Sequence, residues 1–330
     1  MGGALKVLIS STSFGRILKE PRDFLEGRGY ELIGNDLGRP LKVAELIEQL
    51  KGIDGCIAGL DEFTAEALES AEDLKVISRH GAGVDNIDLK AATRKGIVVT
   101  NTPFVNSEAV ADLAFGLMLA AARRIPCADS ETKAGRWPKI LGRAVYGKTL
   151  GIVGLGRIGR GVARRARGFD MEVLAFDIAH DTQFADEYGV KYVTLDELLE
   201  ESDFITLHLP LSQATRGIIG RRELEMMKQT AFLINTARGA LVDEGALYDT
   251  LKSGKIAGAA IDVYGEEPPV NSLLLNLDNI VTTPHIGSYT HESLLEMGMI
   301  AAQNLVDVLE GKRPLNTVNP EVYDGLRHRA

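Results

Sequence analysis

The sequence predicts an α/β protein of two doubly wound parallel-sheet domains, one inserted into the other, and three observations predict it. Short apolar runs alternate with helical patterns along most of the 330 residues, as in parallel strands covered on both faces by helices. A glycine-rich turn joins an apolar strand to a helix at residues 150–160. An amphipathic pattern at 291–310 comes too late to belong to the second series of strands, so it is expected to pack back on the first. The outer domain is therefore expected to comprise residues 1–103 and 288–330, with 104–287 inserted between them.

In chain order, the first series places strands at 7–10, 56–58, 76–78 and 97–100 and helices at 43–50, 64–70 and 87–94. A long apolar helix follows at 107–124, with Glu108 in its first turn and Arg123 and Arg124 in its last, matching the helix dipole at both ends. Strands at 150–153, 172–176, 204–207, 231–235, 257–262 and 280–283 complete the six that a full dinucleotide fold requires. The closing helix carries Leu294, Leu295, Ile300, Leu305, Val308 and Leu309 at helical spacing, then Gly311 and Pro314 as stop signals.

Composition excludes several classes of function. With 45% apolar and 25% charged residues the chain reads as an ordinary globular protein, and its net charge of −9 disfavours nucleic acid or an anionic membrane as partner. An anionic substrate would need a locally positive pocket. Cys56 and Cys127 are the only cysteines, each in an apolar run, so neither a disulfide framework nor a metal site is expected. A reducing cytoplasm is the expected compartment. The chain begins without a signal-peptide pattern, and the apolar run 109–122 is too short to span a bilayer and contains Asp112.

The turn Leu150-Gly-Ile-Val-Gly-Leu-Gly-Arg-Ile-Gly-Arg carries the dinucleotide fingerprint at Gly154, Gly156 and Gly159. Those positions serve a tight turn, close backbone approach to a pyrophosphate, and close packing of helix on strand. The helix read at 158–169 presents free N–H groups and a partial positive charge, which suit that anion without a basic side chain, so Arg157 and Ile158 at its start are expected at the cofactor. Asp177 ends the next strand about twenty residues further on, where an acid can bind the adenosine ribose hydroxyls. No basic pair follows it, so NAD is expected in preference to NADP. The inserted domain is thus read as a Rossmann NAD-binding domain and the outer one as flavodoxin-like.

Three more stretches place polar residues at the carboxyl ends of strands: Asn235-Thr-Ala-Arg238-Gly, Asp262-Val-Tyr-Gly-Glu-Glu267-Pro-Pro and Thr283-Pro-His285-Ile-Gly287-Ser. Together with the fingerprint they resemble the D-isomer-specific 2-hydroxyacid dehydrogenase family along essentially the whole chain. The segments Arg79-His-Gly-Ala-Gly-Val-Asp-Asn86 and Asn101-Thr-Pro-Phe-Val-Asn-Ser107 look most like its 3-phosphoglycerate dehydrogenase branch, which serves serine biosynthesis. The resemblance implies that Arg238 clamps the substrate carboxylate and polarises the keto oxygen, as a planar guanidinium can. It implies that His285 exchanges the proton, and that Glu267 pairs with it and fixes its tautomer, with adjacent Glu266 as the competing assignment. Gly81, Ala82, Gly83 and Val84 resemble the cradle in which backbone N–H groups converge on the substrate carboxylate. Asp262 is implied at the nicotinamide carboxamide, the backbone near Thr236 and Ala237 along the ring, Gly287 beside the cofactor, and His208 on the adenosine side. His80, His180, His291 and His328 have no motif and are read as structural or solvent-facing.

The chain departs from that branch after residues 56–58, where an arginine commonly holds the distal phosphate and this chain has Gly59-Leu60-Asp61. An acid there is expected to repel a phosphate unless Arg16, or Lys139 and Arg143 of a second subunit, supply charge. 3-Phosphoglycerate is the leading substrate by resemblance, and glyoxylate or hydroxypyruvate the alternative. The chain has no room after its closing helix for the serine-sensing domain of longer relatives, so no such feedback site is expected. An NADH-sensing scaffold like the C-terminal-binding-protein corepressors is the rival of another class, although the extended tails of those proteins have no counterpart here. Residues 109–137 are apolar enough to suggest a homodimer through the nucleotide domains, with Trp137 near the partner.

Overall fold

The structure, a computed structural model, describes residues 4–326, which form two compact units. The first runs to Asn106 and resumes at Tyr289; the second is the continuous stretch Ser107–Ser288.

The first unit opens with β1 (Lys6–Ile9), α1 (Glu20–Glu26), β2 (Glu31–Gly34), α2 (Val43–Gln49), β3 (Gly55–Ala58), α3 (Ala65–Ser70), β4 (Val76–Arg79), α4 (Leu89–Lys95) and β5 (Val98–Thr100). The second contains α5 (Ser107–Arg123), α6 (Ile125–Lys133), β6 (Thr149–Val153), α7 (Arg157–Arg167), β7 (Glu172–Phe176), α8 (Thr182–Tyr188), β8 (Val190–Tyr192) and α9 (Leu195–Glu201). It continues through β9 (Phe204–Leu207), α10 (Arg221–Met226), β10 (Phe232–Asn235), α11 (Glu244–Lys252), β11 (Gly258–Ile261) and β12 (Ile280–Thr282). The chain then returns to the first unit as α12 (His291–Leu309) and α13 (Val322–Leu326).

Both sheets are parallel throughout. The first has the order β2-β1-β3-β4-β5, that of flavodoxin-like folds, and the second β12-β11-β10-β9-β6-β7-β8, a Rossmann sheet with a seventh strand. The two-residue period of a strand sends neighbours to opposite faces and so builds two cores per sheet. In β1, Leu8 faces Leu46, Leu50 and Leu68, whereas Val7 and Ile9 face Leu25, Ala301 and Leu305. In β6, Ile152 joins the core under α5 and α7, and Val153 the one that holds Leu198 and Leu247.

Helix α12, capped by the Thr290 hydroxyl, which accepts from the Ser293 amide, covers β3 and β4. Beyond it, residues 316–319 lie antiparallel along the free edge of β5, where the Val318 amide donates to the Val99 carbonyl at 2.8 Å. Fully buried Asn319 clasps that edge: it accepts from the Val99 amide and donates to the Ile97 carbonyl and the Thr93 hydroxyl.

Elements that the sequence reading did not place include α1, β2, α6, β8 and α13. Each is short, and β2 and β8 lie at sheet edges, where half-exposed strands show little apolar alternation. The apolar character of α5 also has a different cause from the one expected. Ala114, Leu117, Met118 and Ala121 of that helix are buried in its own unit's core, which accounts for most of its apolar character. Exposed apolar side chains come instead from the segment that follows: Ile125, Trp137, Leu141 and Tyr146 are 51%, 78%, 89% and 67% exposed. The Trp137 ring has the Lys139 ammonium over it at 6.0 Å. No helix among the described residues is long and apolar enough to cross a membrane.

Candidate active site

The strand order of the second sheet reverses between β6 and β9, and the crevice at that switch point is where such sheets bind ligands. Gly154 leaves β6 at φ +98°, and a Cβ there would stand 2.9 Å from the His208 carbonyl at the end of β9. A Cβ on Gly159 would lie 2.2 Å from the Gly154 oxygen, so only glycine lets α7 pack this close to the turn. At Gly156, which caps α7, a Cβ would meet nothing within 4 Å; this face of the turn is open. The amides of the first turn of α7 point there, with Arg157 exposed and the Ile158 side chain packed into the core, so that Ile158 can serve a ligand only through its backbone.

Asp177 follows β7 and accepts from the Leu155 amide at 2.7 Å and from the Ala179 amide at 2.9 Å, which ties its carboxylate to the glycine turn. Ile178 beside it is 99% exposed, His180 stacks on Tyr192 at 4.0 Å, and Arg160 is engaged by Asp181 at 2.7 Å. Two buried polar atoms at neighbouring strand ends have no partner among the described residues: His208 Nδ1 after β9 and Thr236 Oγ1 after β10. His208 Nε2 is 2.9 Å from the Thr206 hydroxyl, and burial pushes its pKa down to about 3, so the ring is neutral near pH 7. Leaving such atoms unsatisfied costs about 1–3 kcal/mol each. A dinucleotide laid along these strand ends supplies polar groups for both, so the residues present fit one.

The carboxyl ends of β10, β11 and β12 carry the reactive side chains. The Asn235 amide forms a local turn, accepting from the Ala237 amide at 3.0 Å and donating to the Arg238 carbonyl at 2.9 Å. That turn sets the part-buried Arg238, whose Nη1 donates to the Ala237 carbonyl. His285 Nδ1 and Glu267 Oε2 are 2.7 Å apart, while Glu267 Oε1 accepts from the Tyr264 amide at 3.1 Å. Glu266, the competing acid, is exposed. Burial alone would raise the Glu267 carboxyl, but the hydrogen bond and charge of His285, the Tyr264 amide and the Arg238 charge outweigh it and hold the group below its usual value. An ionised Glu267 must accept from Nδ1–H, which leaves Nε2 as the imidazole atom that can exchange a proton with a ligand.

His285 sits at φ +54°, an uncommon conformation for a side chain of its size. Asp262 holds it there. Only 1% exposed, this carboxylate accepts from the Thr283 hydroxyl at 2.6 Å and from the Ile286 and Gly287 amides at 2.8 Å each, and its own carbonyl accepts the His285 amide. Three of its roughly four lone-pair sites are therefore spent on the histidine loop, so the expected carboxamide contact is left at most one. Close packing fixes the remaining loops: a Cβ on Gly239 would fall 2.0 Å from the Tyr264 carbonyl carbon, so the Arg238 and Glu267 loops touch through bare backbone. Sequence reasoning missed Asn235 and Tyr264; the Asn-x-x-Arg spacing, a local turn signal, could have pointed to the first.

In the first unit the loop 81–84 follows β4. It is held by its carbonyls, the Thr102 amide donating to Gly81 and the Asn101 side chain to Ala82, while the amides of Ala82, Gly83 and Val84 find no acceptor among the described residues. Three successive open N–H groups suit a carboxylate. At the end of β3 the expectation about Asp61 is corrected. Its carboxylate is fully buried and accepts from the Ser10 hydroxyl at 2.6 Å and the Leu41 amide at 2.7 Å, so Leu60, 43% exposed, is the side chain presented there. Exposed Arg16 donates to the Asn35 carbonyl. His80 is buried, with Nδ1 between the hydroxyls of Ser11 and Ser13 at 3.2 and 3.1 Å; His291 is exposed, and His328 lies outside the described residues.

Comparison with known proteins finds similar chains of one family. Residues 115–287 match the family described as D-isomer specific 2-hydroxyacid dehydrogenase, NAD binding domain. The chain is 48% identical over 285 residues to a glyoxylate reductase of Korarchaeum cryptofilum, covering 84% of this chain and 86% of the relative. It is also 48% identical over 279 residues to a D-3-phosphoglycerate dehydrogenase of Methanocaldococcus jannaschii, covering 83% of this chain but 53% of the relative. A crystal structure of D-lactate dehydrogenase from Aquifex aeolicus, complexed with NAD and lactic acid, superposes with a TM-score of 0.84 at 30% identity, covering 95% of this chain and 99% of that one.

Proposed function

Because the chain belongs to the D-isomer-specific 2-hydroxyacid dehydrogenase family, and is therefore an NAD-dependent oxidoreductase acting on CH–OH groups, we propose that its substrate is a small unphosphorylated 2-keto acid, with glyoxylate or hydroxypyruvate the best fit. The observation that carries this reading is the end of β3, where apolar Leu60 stands exposed and Asp61 is turned inward. Residues 59–61 themselves offer a distal phosphate no cationic side chain. This reverses the order of preference taken from the segment pattern alone.

Bound NADH supplies a hydride to C2; this chain's own residues do the rest. The open amides of Ala82, Gly83 and Val84 hold the substrate carboxylate. Arg238 offers paired donors to the carboxylate and the keto oxygen, which lowers the cost of negative charge developing on that oxygen. His285 delivers the proton from Nε2 to the same oxygen, and Glu267, hydrogen-bonded at Nδ1, stabilises the protonated ring before transfer and fixes its orientation afterwards. Keto acid, hydride and proton thus give the 2-hydroxy acid, and oxidation runs the same steps backward. Asp177 takes the adenosine ribose hydroxyls, and His208 and Thr236 complete the cofactor edge.

The enzyme acts as a homodimer through the inserted unit, a reading supported by the exposed apolar residues Ile125, Trp137, Leu141 and Tyr146 in one segment. Two free cysteines suit a reducing, cytoplasmic setting. Steady-state kinetics with NADH test the substrate. Glyoxylate or hydroxypyruvate should exceed phosphohydroxypyruvate in kcat/KM by at least about tenfold, a difference of about 1.4 kcal/mol. The opposite order would return the assignment to the phosphorylated acid.

A further inference from the structure

We propose that Asn86 is a positioning residue for substrate selection: its carboxamide staples the two carbonyls that flank Leu60 and so fixes that side chain relative to the 81–84 loop. The proposal rests on the reading of the β3 end as facing the substrate. Asn86 is part-buried, and its side-chain nitrogen has two hydrogens to give. One goes to the Gly59 carbonyl at 3.2 Å and the other to the Asp61 carbonyl at 2.6 Å, one on each side of Leu60 in the chain. The backbone repeats the link. The Phe63 amide donates to the Asn86 carbonyl at 2.8 Å and the Asp88 amide to the Phe63 carbonyl at 2.9 Å, a short parallel bridge rooted in the core by the buried Phe63 ring.

A second clamp closes the same loop. The buried Asp61 carboxylate, already held by Ser10 and Leu41, also accepts from the Gly59 amide at 3.2 Å. A Cβ on Gly59 would stand 2.8 Å from the Ser11 Cα, so the loop rests there on bare backbone. The amide and carbonyl of Gly59 and the carbonyl and carboxylate of Asp61 are thus all engaged, and the exposed Leu60 side chain rides on a backbone that cannot withdraw from a bulky ligand. Selection by size needs a wall of that kind, since an apolar pocket that yields discriminates poorly. Asn86 lies two residues past Val84, so one residue ties the wall to the loop whose amides hold the carboxylate. The span between them limits what a 2-keto acid can carry on C2: hydrogen in glyoxylate, hydroxymethyl in hydroxypyruvate, propyl in 2-oxopentanoate.

The test is steady-state selectivity at saturating NADH. Asn86→Asp is close to isosteric but sets an acceptor against two carbonyls, and Asn86→Ala, which removes the donors without adding charge, serves should the first not fold. In either variant the ratio of kcat/KM for glyoxylate to that for 2-oxopentanoate should fall about tenfold or more, through a lower KM for the larger acid, with the Kd for NADH unchanged. Leu60→Ala should lower the same ratio, and Asn86→Ala added to it should change the ratio less than twofold further, because residues that act as one are not additive. A merely structural Asn86 would lower Tm and slow both acids alike. A wild-type ratio in the Asn86 variants, with an altered one in Leu60→Ala, overturns the role of Asn86 alone. A wild-type ratio in Leu60→Ala as well overturns the reading of the β3 end.

Discussion

Gly239 joins the loop that carries Arg238 to the one that carries Glu267, and Gly239→Ala should separate them. A Cβ there would stand 2.0 Å from the Tyr264 carbonyl carbon, 2.2 Å from its oxygen and 2.4 Å from the Gly265 nitrogen. All three are backbone atoms, so no side-chain rotation relieves the contact. Reaching the 3.4 Å at which ordinary contact begins requires about 1.4 Å of relative movement. That movement acts on Arg238 through one peptide bond, and on Glu267 through the Tyr264 amide that holds its Oε1 at 3.1 Å. Misplacing a reacting group by about 1 Å costs on the order of a hundredfold in rate. Overpacking costs about 1–3 kcal/mol of stability, at roughly 2–4 °C of Tm per kcal/mol for a unit of this size. The variant should therefore remain folded and bind NADH while kcat/KM for glyoxylate falls about a hundredfold. Gly116→Ala, whose Cβ would meet nothing within 4 Å, is the control. A Gly239→Ala enzyme within threefold of wild type would refute the claim that this contact sets the geometry of the site.

Four further predictions concern Glu267, Asp177 and Asn319. Glu267→Gln should lower kcat for reduction by about tenfold to a thousandfold and move its pH profile toward lower pH, because protonated His285 loses an anionic partner; an unchanged profile would remove Glu267 from the chemistry. Since the Glu267 carboxyl is held below its usual value, the pair contributes its full stability near neutral pH and loses it as pH falls through the lowered value, so the acid limb of Tm against pH should be shallower in that variant. NADH should be preferred over NADPH by at least about tenfold in kcat/KM, and Asp177→Ser should narrow the gap, because a carboxylate there repels a 2′-phosphate; equal cofactor use by the wild type argues against Asp177 as the selector. Asn319→Ala, which strands buried groups of Ile97, Thr93 and Val99, should cost about 2–4 kcal/mol in denaturant unfolding, and a loss under about 0.5 kcal/mol would mean that water replaces the clasp.

What was legible in the sequence is what backbone geometry demands of residue type. Gly154 and Gly159 are forced by contacts that no side chain survives, so the fingerprint shows as letters. The order Arg238, Glu267, His285 was legible because each follows an apolar strand. The direction in which a side chain turns was not. Leu60 and Asp61 are adjacent, and nothing in their spacing says that the acid points inward to Ser10 and Leu41 while the leucine faces out. Helix α5 failed for a related reason, since a helix sheathed by its own domain and one sheathed by a partner have the same composition. Asn319 owes its place to contacts with a distant segment, which no local pattern announces.

The discontinuity of the first unit bears on how the chain acquires its fold during synthesis. Residues 107–288 form an uninterrupted unit and can close as soon as they leave the ribosome. The first sheet cannot: one face of Val7, Ile9, Ile57 and Val76 is covered by Ala301, Ala302, Leu305 and Val306, and the edge of β5 is sealed only by residues 316–319. At roughly 5–20 residues per second, the segment translated first waits on the order of ten to forty seconds, through about 200 later residues, with apolar surface and a strand edge open. The usual amino-to-carboxyl order of domain folding is thus inverted, and nascent chains arrested shortly after residue 288 should present a protected nucleotide domain preceded by a protease-sensitive, chaperone-binding amino-terminal third.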